Sequence, residues 1–228
     1  MAFRLPGGDD RTTVLGATGT GKTTCGAWLL SRQRFDRRPW LIFDYKHEVL
    51  FDRVGFPPIQ ELDVGHMPGR QGIYLVTPTP GDESRVEDYL WKLWARGNVG
   101  LFIDEAFLLP DKHAFRAILQ QGRSKRIPVI ACTQRPADVP RALYSEASFF
   151  CLYRLTDKRD YKTIEGFIPG SNLSAPMPPK FWRWYDVANN ELLKMRPVPP
   201  PDTIVRDMKR NIPYTWHPFA WKHAVSGR

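Results

Sequence analysis

Nine consecutive residues of this 228-residue chain have the types and spacing to hold a phosphate chain. Gly16-Ala17-Thr18-Gly19-Thr20-Gly21-Lys22-Thr23 fits G-x-x-x-x-G-K-[ST] at every fixed position, and Thr24 follows. Phosphates must lie against successive backbone N–H groups, which side chains at Gly16 or Gly21 would obstruct. A helix starting near Lys22 would aim its positive dipole end at the same anion. Lys22 supplies a point charge for the β- and γ-phosphates, and the Thr23 hydroxyl suits Mg2+. Residues 16–24 are therefore read as a nucleotide phosphate loop.

Hydrolysis needs more than a cradle, and three further stretches carry suitable groups. Val99-Gly100-Leu101-Phe102-Ile103 is an apolar run that delivers Asp104 and Glu105 at its end. Asp104 would hold Mg2+ through water, a hard-cation task for oxygen. Glu105 would orient an attacking water or accept its proton. Ile127 to Thr133 is a second apolar run, closed by Gln134-Arg135-Pro136. Gln134, with Thr133 as a candidate to share the role, is placed to sense a γ-phosphate. The cluster Arg123, Lys125, Arg126 reads either as a solvated turn or as an arginine finger reaching a neighbouring subunit's nucleotide.

These groups need elements to position them. The phosphate loop requires a strand before it, supplied by β-prone Thr12 to Leu15, and a helix after it, with its apolar face in Thr24 to Leu30. Pro39 to Asp44 reads as a buried strand whose end bunches Asp44, Lys46, His47 and Glu48, as at the ligand-binding rim of an open α/β sheet. Further strands are expected over 73–76 and 148–155, and helices over 85–95, about 111–121 and 157–166. Alternation of strands and helical patterns argues for a parallel sheet. Residues 56–71, rich in Pro and Gly, read as loop, and 171–180 as linker. Phe181 to Met195 reads as a β-hairpin about Asn189-Asn190. The division expected is 1–196 for a core with its hairpin and 197–228 for a Pro-rich basic tail, whose Trp216, Phe219 and Trp221 either dock on a subunit or stack on bases.

Composition bounds the partners. The net charge of +9 points to a polyanion, because basic surfaces attract phosphate backbones without reading sequence. The polar start and the lack of a long apolar run predict neither a signal peptide nor a membrane span. Cys25, Cys132 and Cys151 show no metal spacing and read as core residues of a reducing compartment.

Taken together, residues 16–24, the Asp44-x-Lys46-x-Glu48 rim, the strand into Asp104-Glu105 and Thr133-Gln134-Arg135-Pro136 resemble the HerA–FtsK superfamily of DNA-pumping ATPases over about residues 11–165. In size and motif order the chain is most similar to the genome-packaging ATPases of membrane-containing icosahedral viruses and phages. The resemblance implies an α/β, RecA-like P-loop NTPase core with a mostly parallel sheet flanked by helices, followed by the hairpin and basic tail. It implies ATP and Mg2+, a homo-oligomeric ring, commonly a hexamer, with nucleotide at subunit interfaces, and double-stranded DNA in the pore. Lys22 and Thr23, the Walker B acids Asp104 and Glu105, and the sensor Gln134 map onto the family's residues. The trans-acting arginine falls at Arg123, with Arg126 second, and Arg154 resembles a further position near the nucleotide. Pore contacts to DNA are expected from Lys112, His113 and Arg141. Lys46 either lines the rim or braces the sheet. Portal or capsid-vertex proteins are expected partners, and host cytoplasm and the packaging vertex of the virion the expected location.

Other readings weigh against this one. A coupling ATPase for conjugation or secretion usually carries a membrane segment. A small-molecule kinase shares the loop but has no use for the Glu105 and Gln134 pairing. A GTPase would show an Asn-Lys-x-Asp element, which the sequence lacks.

Overall fold

A computed structural model of the chain describes residues 4–55, 59–110, 113–169 and 172–212. They form one nine-stranded sheet in the order β3-β4-β2-β5-β6-β1-β7-β8-β9. The strands are β1 (Arg11–Leu15), β2 (Pro39–Asp44), β3 (Ile59–Glu61), β4 (Gly72–Val76), β5 (Gly100–Asp104), β6 (Val129–Thr133), β7 (Phe149–Leu152), β8 (Trp182–Asp186) and β9 (Glu191–Met195). All pairings from β3 to β7 are parallel, while β8 and β9 add antiparallel. The mostly parallel α/β sheet and the terminal hairpin are borne out. The hairpin turns through Asn190, which has a positive φ of 50° and whose side chain accepts from the Tyr185 hydroxyl at 2.8 Å.

The central strands are buried on both faces and read as continuous apolar runs, as covered parallel strands must. The helices are α1 (Lys22–Leu30), α2 (Val49–Val54), α3 (Glu83–Arg96), α4 (His113–Gln121), α5 (Ala142–Ser145), α6 (Lys158–Glu165) and α7 (Pro201–Asn211). On α3, Val86, Tyr89, Leu90 and Leu93 face the core at the spacing read from the sequence. Two apolar clusters result, one on each side of the sheet: Leu41, Phe43, Leu101 and Ile103 belong to one, Trp40, Ile42 and Phe102 to the other.

The structure corrects the sequence reading in three places. Residues 56–71 are not all loop, because β3 pairs in parallel with β4 at the sheet edge and buries Ile59. Residues 49–54 form the unforeseen α2. The stretch after Pro199 is not only tail: Pro201 opens α7, where a missing N–H costs nothing. Ile204, Met208 and Ile212 then bury one face against the α1 and α2 side of the sheet. Polar ties fix it there: Asn211 Nδ2 donates to Ser31 O at 2.6 Å, Arg32 pairs with Asp207 at 3.1 Å, and Arg53 pairs with Asp202. Trp216, Phe219 and Trp221 lie outside the described residues.

Candidate functional site

Parallel strands deliver all their carboxyl ends to one rim, and the chemistry collects there. β1 runs into the phosphate loop, β5 into Asp104 and Glu105, and β6, lying between β5 and β1, into Gln134. The loop is anchored to both neighbours: Gly16 N donates to Thr133 O on β6 at 3.3 Å, and Ala17 N to Arg154 O beyond β7 at 2.9 Å. A Cβ at Gly16 would fall 2.6 Å from the Thr20 hydroxyl and 2.6 Å from Tyr153 Cβ, so the loop itself excludes a side chain there. Gly21 caps α1 at φ 105°, a left-handed value that glycine adopts without strain. The first intrahelical bond is Cys25 N to Gly21 O at 2.9 Å. The N–H groups of Lys22, Thr23 and Thr24 are thus the first-turn donors that point at an anion.

Contacts across the rim tie the predicted residues into one cluster. Lys22 Nζ donates to Glu105 Oε1 at 2.7 Å. The Thr23 hydroxyl donates to Asp104 Oδ1 at 3.0 Å. The Thr18 hydroxyl donates to Gln134 Oε1. Thr133, weighed as a partner for Gln134, instead accepts from Arg135 N at 3.1 Å and shapes the turn that presents Gln134. Asp104 and Glu105 are completely buried, and one oxygen of each, Asp104 Oδ2 and Glu105 Oε2, has no partner. Glu105 sits at φ 59°, a left-handed backbone that turns the second acid back toward the loop. Burial pushes the Asp104 carboxyl up to about 7, with Lys22 opposing. Burial alone would lower the Lys22 ammonium, but the hydrogen bond and charge of Glu105 raise it. The donor set suits Mg2+: a hydroxyl and a carboxylate, both hard oxygens, with Asp104 Oδ2 still open to a ligand.

The remaining predicted residues lie elsewhere on the molecule. Arg123 and Arg126 are exposed at the opposite rim, at the amino ends of the strands: Asn98 N, just before β5, donates to Lys125 O at 2.8 Å, and Arg38 Nη1 donates to Arg126 O at 2.8 Å. Lys125 lies over the Trp94 ring at 4.0 Å. Neither arginine joins its own chain's phosphate loop. His113, exposed at the start of α4, and Arg141, over the Phe167 ring at 5.2 Å, follow the carboxyl ends of β5 and β6. Lys112 lies outside the described residues.

Two groups beside the loop escaped the sequence reading. Residues 173–180, within the stretch read as linker, wall a cavity of about 510 Å³ together with Gly19, Thr20 and Tyr153. Lys180 Nζ from this strap donates to Gly19 O at 2.6 Å. Arg183, buried on β8, holds the strap by donating to Ala175 O at 2.9 Å and Asn172 O at 3.5 Å. No local signal announces these contacts. On the other side of Thr18 and Arg154 a second cavity of about 510 Å³ is lined by Gln134, Arg135, Asp138, Asp157 and Asp160.

Comparison with known proteins gives the same assignment. No family model matches the chain. The DNA packaging ATPase P9 of Enterobacteria phage PRD1 is 36% identical over 216 residues, covering 90% of this chain and 94% of P9. Among solved structures, the DNA-packaging ATPase B204 of Sulfolobus turreted icosahedral virus matches with a TM-score of 0.62 at 18% identity, over 83% of this chain and 98% of B204. ATPases 2 and 3 of EssC from Geobacillus thermodenitrificans match with a TM-score of 0.60 at 14% identity, over 89% of this chain and 44% of theirs. At those identities the solved structures bear out the P-loop ATPase fold, whereas P9 shows kinship. The chain belongs to the family of phage DNA-packaging ATPases represented by P9, the viral branch that the HerA–FtsK resemblance pointed to.

Proposed function

We propose that this chain hydrolyses ATP to drive double-stranded DNA into a viral capsid. The observation that carries the reading is the convergence of Asp104, Glu105 and Gln134 on one loop: Asp104 on Thr23, Glu105 on Lys22 and Gln134 on Thr18. Kinship with a protein named as a packaging ATPase supports it. The triphosphate lies along residues 16–24, with Lys22 on the β- and γ-phosphates. Thr23 and Asp104 would hold Mg2+, which would supply positive charge against the phosphate oxygens. Glu105 takes a proton from the attacking water at its free Oε2 and Gln134 orients the γ-phosphate end.

The ring, the pore and the capsid vertex belong to the same proposal. Arg123 and Arg126 lie on the rim away from their own phosphate loop, so either acts only on a neighbour's nucleotide, through a head-to-tail contact of the kind that closes rings. His113, Arg141 and Lys112 are assigned to the DNA backbone. Among the described residues no helix is long and apolar enough to cross a membrane. Portal or capsid-vertex proteins are the partners proposed at the packaging vertex.

ATP turnover with and without long duplex DNA tests the reading. Turnover is expected to rise severalfold with DNA, and the apparent DNA affinity to fall as salt is added. Absence of stimulation at every ionic strength would remove DNA from the function.

The strap makes a separate prediction. It walls the side of the loop away from the acids, which assigns it to the nucleoside. Arg183→Ala frees the carbonyls of 172 and 175 and is expected to raise KM for ATP by about threefold to tenfold, with kcat within about twofold. An unchanged KM would separate the strap from the nucleotide.

A further inference from the structure

Two ammonium groups meet one buried carboxylate oxygen. Glu105 Oε1 accepts from Lys22 and also from Lys46, while Glu105 as a whole is inaccessible to solvent. The rest of the site accounts for Lys22. It leaves Lys46 without a role.

The sequence builds the second contact deliberately. Asp44 ends β2 directly opposite Asp104 in the β2–β5 register. Its carboxylate caps the turn that follows: Oδ1 accepts from Lys46 N at 3.1 Å and Oδ2 from Glu48 N at 2.7 Å. His47, at φ 55°, completes the reversal. The turn therefore fixes where the Lys46 stem leaves the backbone, and the flexible stem carries Nζ across to Glu105. The Lys46 side chain is 37% exposed and that of Lys22 7%.

Lys22 serves two anions in turn. To meet a triphosphate it must release Glu105, and stripping the counter-ion from a buried carboxylate is strongly unfavourable. A second cation already seated on the same oxygen removes that cost. We propose that Lys46 is a positioning residue that holds Glu105 by Oε1, so that Lys22 can turn to the phosphates without leaving a buried charge unpaired. The arrangement also leaves Oε2 without a partner. The proposal rests on the ATPase reading above.

A double-mutant cycle on Mg·ATP affinity, read by titrating a fluorescent ATP analogue into the intact chain, isolates the effect from any general loss of charge. Lys46→Gln is expected to weaken binding by about tenfold or more, because Glu105 then keeps Lys22. In a Glu105→Gln background the same change is expected to cost less than about threefold, since no buried charge remains to compensate. Lys46→Arg, which keeps the charge, should stay within about threefold of the parent. Equal losses in both backgrounds would mean that Lys46 acts on the phosphates directly, and no loss in either would deny it any role; both overturn the proposal. A parent chain that binds no ATP would bring down the ATPase reading itself, a result distinct from those two.

Discussion

Glu105→Gln is expected to cut ATP turnover at saturating substrate by about a thousandfold while leaving ATP affinity unchanged or tighter. The two effects separate because the proposal gives the carboxylate two roles. Through Oε2 it would take the proton of the attacking water, and an amide cannot do that. Through Oε1 it holds Lys22 at 2.7 Å, in competition with the phosphates. Glutamine keeps the size of the side chain and tolerates the left-handed backbone at φ 59° as well as glutamate does, so the turn out of β5 survives. Phosphate release and equilibrium binding measured on one preparation check the pair of outcomes. Turnover within about tenfold of the parent would reduce Glu105 to a counter-ion for two lysines, and the base would have to be sought elsewhere.

The candidate site was legible in the sequence because its parts are local motifs and the fold gathers them automatically. Each phosphate-loop residue is specified by its neighbours, and each acid or amide follows an apolar run that can only be a buried parallel strand. Once the strands are parallel, their carboxyl ends share a rim, and Lys22, Asp104 and Gln134 meet without any long-range clue. What escaped was everything specified at a distance. The contacts of Lys180 with Gly19 and of Arg183 with the strap join residues far apart in the chain, and a Pro-rich stretch looks like linker whether or not a cavity stands behind it. The helix Pro201–Asn211 had a local signal, an N1 proline followed by apolar residues at 204, 208 and 212, but the preceding prolines masked it. Lys46 was visible as a rim charge. Only the register that sets Asp44 opposite Asp104 carries it across to Glu105.

Asp104→Asn joins the two halves of the site's chemistry, because one substitution should stabilise the chain and disable it. Burial holds the Asp104 carboxyl up at about 7, against roughly 4 for an aspartate in an unfolded chain. Between those values the folded chain binds a proton that the unfolded chain has released, so this group's contribution to stability falls as pH rises through the window and is at its worst above it. Asparagine carries no charge at any pH and can still accept from Thr23 through its side-chain oxygen. The melting temperature of the variant is therefore expected to exceed the parent's by several degrees near pH 8, with the gap closing toward pH 4. Turnover in Mg2+ should fall at the same time by about a hundredfold or more, since a neutral amide is a weak ligand for a hard cation. A gap in melting temperature that is equal at both pH values would mean that the gain comes from repacking. The charge at Asp104 would then cost the fold nothing, and the buried acid would not be held ready for a cation at the expense of stability.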